Sequence, residues 1–79
     1  MIWMPVTYRP TEVIRVLEYL GWERRSGRGD HVNLTKPGVR FVVTIDTGKR
    51  EVPKGTLANI LRLAGLSRRE FERIGREVL

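Results

Sequence analysis

Apolar residues fall at two different periods along this chain. Val13, Ile14, Val16, Leu17 and Leu20 recur at helical spacing and would share one face of a helix over Thr11–Leu20. Pro10-Thr11 opens that helix, with Thr11 the candidate N-cap and Glu12 in the first turn. Gly21 follows as a stop signal. Trp22 then begins a short extended segment reaching Ser26. From His31 to Lys36 the period drops to two. Val32 and Leu34 point one way; His31, Asn33 and Thr35 point the other. Pro37-Gly38 is a hairpin turn signal. The alternation resumes over Val39–Ile45, which places Phe41, Val43 and Ile45 in the core and Arg40, Val42 and Thr44 on the opposite face.

A polar connection from Asp46 to Pro53 separates this hairpin from a second helical pattern. Leu57, Ile60, Leu61 and Ala64 make its apolar stripe, with Thr56 the candidate N-cap and Gly65 the end. Ser67 and Glu70 form a Ser-x-x-Glu capping box. They open a third helix whose inward face carries Phe71, Ile74 and Val78. The predicted order is α-β-β-β-α with an extra C-terminal helix. This is a two-layer α+β fold, a three-stranded antiparallel sheet with helices on one face. It is the order of the double-stranded-RNA-binding domain. The chain has 79 residues, enough for a single domain over 1–79 and too few for a deep pocket or a large cofactor. Any chemistry is expected on a surface or in a shallow cleft.

Composition narrows the chemistry. There is no cysteine and one histidine, which excludes disulfides, thiolate sites and a multi-histidine metal centre. No metal or other cofactor is expected. The apolar start Met1-Ile2-Trp3-Met4-Pro5 is too short for a signal peptide or a membrane span, so a cytoplasmic location is expected. Trp3 with Met4, and Val42, lack an evident core role and are candidates for a partner surface. Fifteen Lys+Arg against nine Asp+Glu give a net charge of +6 and a pI near 10.8. Only Lys36, Lys49 and Lys54 are lysines. An arginine-rich basic domain of this size points to a polyanion, because guanidinium groups contact phosphates bidentately and stack on bases.

His31 is the candidate centre. Its strand phase turns it away from the core, a Gly27-Arg28-Gly29-Asp30 turn precedes it, and cations bracket it. Arg24, Arg25 and Arg28 lie before it, Lys36 and Arg40 after it. RNA carries its own nucleophile, the 2′-hydroxyl. Its cleavage therefore needs a base near neutrality, an acid for the 5′ oxygen, and cations for the pentacoordinate phosphorus. Imidazole suits either proton transfer. Asp30 could orient the ring or accept a proton, and Arg28 or Lys36 could stabilise charge; the residues leave these roles open. Gly27-x-Gly29 reads more readily as an ordinary turn than as a phosphate cradle. Lys54-Gly55-Thr56 is a second candidate anion contact, at a helix start. The mixed-sign run Arg68-Arg69-Glu70-Phe71-Glu72-Arg73 reads as a solvated helix face.

Three stretches resemble the HicA toxin family, also called YcfA-like proteins, over about Thr7 to Ile74. These are Leu20-Gly21-Trp22, the tripeptide Gly29-Asp30-His31, and the block Val52-Pro53-Lys54-Gly55-Thr56-Leu57-x-x-Ile60-Leu61-x-x-Ala64-Gly65-Leu66. The resemblance implies a double-stranded-RNA-binding-type fold and metal-independent cleavage of mRNA with His31 as the catalytic residue. It implies a HicB-type antitoxin as protein partner. Asp30 stands where the family usually has Ser, which sets a carboxylate beside the imidazole. The alternative reading is a non-catalytic RNA-binding module of the same fold. Duplex binding of that kind draws on lysines at the second helix start, and here only Lys54 and, on the first helix, Arg15 would serve.

Overall fold

The computed structural model describes residues 7–79; the Trp3–Met4 candidate lies outside the described residues. Helix α1 spans Pro10–Tyr19. Strands β1 (Glu23–Arg25), β2 (His31–Thr35) and β3 (Val43–Asp46) follow, then helices α2 (Lys54–Ala64) and α3 (Arg68–Val78). The strands form one antiparallel sheet in the order β1-β2-β3. The helices pack on one another and on β3, on the side of the sheet that carries Leu34, Val43 and Ile45. This is the expected α-β-β-β-α order with the extra C-terminal helix.

The core joins the two layers. Val13, Ile14, Val16 and Leu17 from α1 meet Leu34, Val43 and Ile45 from the sheet and Leu57, Ile60, Leu61, Phe71 and Ile74 from α2 and α3. Each such fully buried side chain contributes about 1.5–3 kcal/mol. Tyr8 packs edge-on against Phe71, with ring centroids 4.8 Å apart and planes at 83°. Arg68 covers the Tyr8 ring, its guanidinium carbon 5.6 Å from the centroid. The Tyr8 carbonyl accepts from the Val52 N–H at 2.8 Å, tying the approach to α1 to the approach to α2. Burial, reinforced by the charge of Glu72, raises the Tyr8 hydroxyl above its ordinary pKa.

Helix ends follow local chemistry, with two corrections to the expected caps. The N-cap of α1 is Arg9, not Thr11; its N–H donates to Glu12 Oε1 at 2.8 Å. Pro10 takes the first helical position, where its fixed φ suits the helix and its missing N–H is not needed. The second cap moves from Thr56 to Pro53, which is still extended, so that Lys54 is the first residue of α2. Gly21 and Gly65, both at positive φ, end α1 and α2 as expected. The capping box of α3 forms as read: the Glu70 N–H donates to Ser67 Oγ at 3.1 Å, and the Ser67 N–H to Glu70 Oε1 at 3.2 Å. That Ser67 N–H, together with the Ser67 hydroxyl, which donates to the same Oε1 at 3.0 Å, holds the Glu70 carboxyl below its ordinary pKa.

The largest correction concerns β3. The alternation over Val39–Val42 does not become strand; β3 begins at Val43. Strand β2 stops at Thr35, so residues 36–42 have no neighbour to pair with and form an open connection. Phe41 consequently leaves the core and is 56% exposed.

Candidate functional site

The face of the sheet away from the helices is polar, as the period-two reading of β2 requires. Residues directly opposite in a sheet share a face. The register pairs Glu23 with Thr35, Arg25 with Asn33, Asn33 with Thr44, and His31 with Asp46. These side chains lie on the open face. A hydrogen-bonded net crosses it. Asn33 Nδ2 donates to the Ser26 carbonyl at 3.3 Å, and the Thr44 hydroxyl donates to Asn33 Oδ1 at 2.8 Å. Arg25 Nε donates to Thr35 Oγ1 at 2.9 Å, and its Nη2 lies 3.2 Å from Glu23 Oε1. One amide thus ties β1, β2 and β3 together two residues from His31.

His31 lies at the start of β2, exposed, beside a shallow open groove lined by Ser26, Gly27, Arg28, His31 and Asn33. The groove wall is a close backbone crossing. A Cβ at Gly27 would lie 1.9 Å from the His31 carbonyl oxygen and 3.3 Å from Val32 Cα. Only glycine lets the chain pass there. Gly27 therefore has a steric role at the site, while Gly29, at positive φ with open space around it, serves the turn. The His31 N–H donates back to the Arg28 carbonyl at 3.0 Å. Neither the His31 ring nor the Arg28 guanidinium has a hydrogen bond or ion pair with another described residue. Both are thus available to a ligand.

Two carboxylates flank His31, one of them missed in the sequence. Asp30 does not engage the ring; its carboxylate lies over Gly48, where a Cβ would be 2.7 Å from Oδ2. Its carbonyl accepts from the Thr47 N–H and, at 2.8 Å, from the Thr47 hydroxyl. The backbone bond from Thr47 to Asp30 makes His31 and Asp46 a non-hydrogen-bonded pair, the kind in which opposite side chains approach most closely. Asp46 is half-buried, and its Oδ1 accepts from the Gly48 N–H at 2.9 Å. Nothing in local sequence marks Asp46, because its place beside His31 depends on strand register.

The predicted cations do not all converge. Arg28 lines the groove beside His31; Arg25 shares the open face, but its guanidinium is turned to Thr35 and Glu23, toward the far end of β2. Arg24 pairs across to Leu34 and so faces the helices, with Nε 3.7 Å from Glu18 Oε2 of α1. Lys36 lies past the far end of β2, roughly 16 Å from His31 at the usual rise per residue, and Arg40 lies in the connection beyond it. Lys54 lines a separate depression with Ala58, Leu61, Arg62, Leu66 and Arg68. Among the described residues, no three acidic, histidine or cysteine side chains gather as a metal ligand set. No helix of the described residues is long and apolar enough to cross a membrane.

An exposed imidazole and a free arginine beside a groove on a strongly basic domain form an arrangement suited to proton transfer at a phosphodiester. Residues 10–66 match a family model described as the HicA toxin of bacterial toxin–antitoxin systems. No curated protein matches the chain.

Proposed function

Since this chain belongs to the HicA toxin family, we propose that it is an endoribonuclease that cleaves mRNA without a metal, inhibits translation, and uses His31 as its acid/base group. The observation that carries this reading is the exposed His31 ring beside the Arg28-lined groove, on the only histidine of the chain. In cleavage, the 2′-oxygen attacks the adjacent phosphorus and the bond to the 5′ oxygen breaks. The products are a 2′,3′-cyclic phosphate and a 5′-hydroxyl. Neutral imidazole takes the 2′ proton, or imidazolium supplies the proton to the leaving 5′ oxygen; one ring fills one role at a time. Arg28 neutralises the phosphorane, where charge accumulates. Arg25 extends the phosphate contacts along the open face. Arg24, Lys36, Arg40 and Lys54 add to the long-range field that draws in the polyanion. The protein partner is a HicB-type antitoxin that masks this surface in the cytoplasm.

The test is cleavage of a defined RNA by purified protein in EDTA. The parent chain is expected to cut and to leave cyclic phosphate ends. His31→Ala should be slower by about 10²–10⁴-fold, the range for a positioned acid or base, and should no longer arrest growth. Parent-like cleavage by His31→Ala, or loss of parent activity in EDTA, overturns the mechanism.

A further inference from the structure

The far end of the β2–β3 pair has features that the cleavage site does not use. We infer that the outer edge of β3, with Phe41 and Val42 beside it, is where an acidic, partly apolar strand of the antitoxin adds to the sheet. This rests on the chain's place in the toxin–antitoxin family for the existence of such a partner, and on the structure for where it docks.

The register supplies the first argument. His31–Asp46 is a non-hydrogen-bonded pair, so Val32–Ile45 is hydrogen-bonded and Asn33–Thr44 is not. The N–H and C=O of Thr44 therefore point away from β2. Among the described residues no strand lies on that side, because β3 is an edge of the three-stranded sheet. An open edge with free amides is the template for strand addition.

The second argument is apolar exposure. Phe41 is 56% and Val42 52% exposed, adjacent in sequence and immediately before β3. Val39 before them packs against the core, whereas Phe41 and Val42 stay exposed among the described residues. Adjacent exposed apolar side chains next to an open edge mark a protein contact.

Charge selects the occupant. The connection 36–42 that leads into β3 has no Asp or Glu and carries Arg40 beside Phe41, on a chain of net charge +6. An acidic strand meets this segment favourably. A second copy would set Arg40 against a segment of the same sign. RNA would gain phosphate contacts from Arg40, but nothing from Val42 or from the directional pairing of the β3 edge.

The experiment uses the full chain and the antitoxin encoded beside it. Binding is measured by calorimetry for the parent and for the double variant Phe41→Ser/Val42→Asp. RNA cleavage and thermal midpoint are followed in parallel. Both residues are exposed, so the variant should fold. The expected result is antitoxin affinity lower by on the order of 100-fold, as for loss of a central aromatic anchor with a like-charge mismatch, with cleavage unchanged. Amide exchange gives a readout independent of the variant: the Thr44 N–H should become protected in the parent complex. Unchanged affinity, or a Thr44 amide that exchanges as fast in the complex as alone, overturns the site. Loss of RNA cleavage with antitoxin binding retained would assign the surface to RNA instead. A parent dimer dissolved by the variant would assign it to a second copy. Failure of the parent chain to bind the antitoxin at all would overturn the partner, and is distinguished by cleavage activity that persists without an inhibitor.

Discussion

The two ends of the β2–β3 pair are built from the same alternating pattern and have opposite characters. At the His31 end, the backbone is crossed by Gly27, fastened by Thr47 to Asp30, and flanked by two carboxylates. At the Phe41 end the connection 36–42 is unpaired and contains no carboxylate, and two large apolar side chains face solvent. Alternation decides which side of a sheet a residue faces. What lies opposite decides whether the residue becomes strand, site or open surface. One end is held tightly around His31; the other is left open.

One substitution tests the contrast at both ends. Gly27→Ala places a methyl group 1.9 Å from the His31 carbonyl oxygen, so the groove must open. It should cost more than about 2 kcal/mol in urea denaturation and abolish cleavage. Gly38→Ala meets no atom within 4 Å and is strained only by its φ of +83°; about 1 kcal/mol is expected, with cleavage retained. Equal costs at the two positions would break the comparison. Next in size is Asn33→Ala, which removes the bonds to Ser26 and Thr44. About 1–2 kcal/mol is expected, with cleavage slowed because the loop beside His31 loses its tie. Alkaline titration should not discriminate between the ends. Tyr8 holds its proton more tightly folded than unfolded. Its contribution is intact below the ordinary tyrosine range and is lost as pH rises through it, since the unfolded chain deprotonates first. Thermal midpoints measured across pH 9–11 should fall with increasing pH, equally for the parent and both glycine variants. The smallest effect belongs to Phe41→Ser, within about 0.5 kcal/mol in the isolated chain.

Most of the fold was legible because its signals are local. The spacing in Val13–Leu17, the Ser67–Glu70 box and the stops at Gly21 and Gly65 each depend on a few neighbouring residues. So does the outward phase of His31. What stayed hidden depends on pairing. A two-residue turn at Pro37–Gly38 would set His31 opposite Thr44. The longer connection shifts the register by two residues and sets it opposite Asp46. A shift of two preserves every face, so the phase of His31 was readable while its neighbour was not. Arg24 and Arg25 look equivalent as a basic pair, but successive strand residues face opposite ways, and only Arg25 shares the open face with His31.

Helix α3 separates two boundaries that are easily equated. It begins beyond the segment matched to the family, residues 10–66, and carries no residue of the groove. Yet it supplies Phe71, fully buried, and packs along α1. A chain ending at Leu66 would retain every group assigned to chemistry while leaving Tyr8 and the α1 stripe without their cover. The unit by which the sequence is recognised is thus shorter than the unit that holds its shape. A minimal active fragment must be chosen by the second.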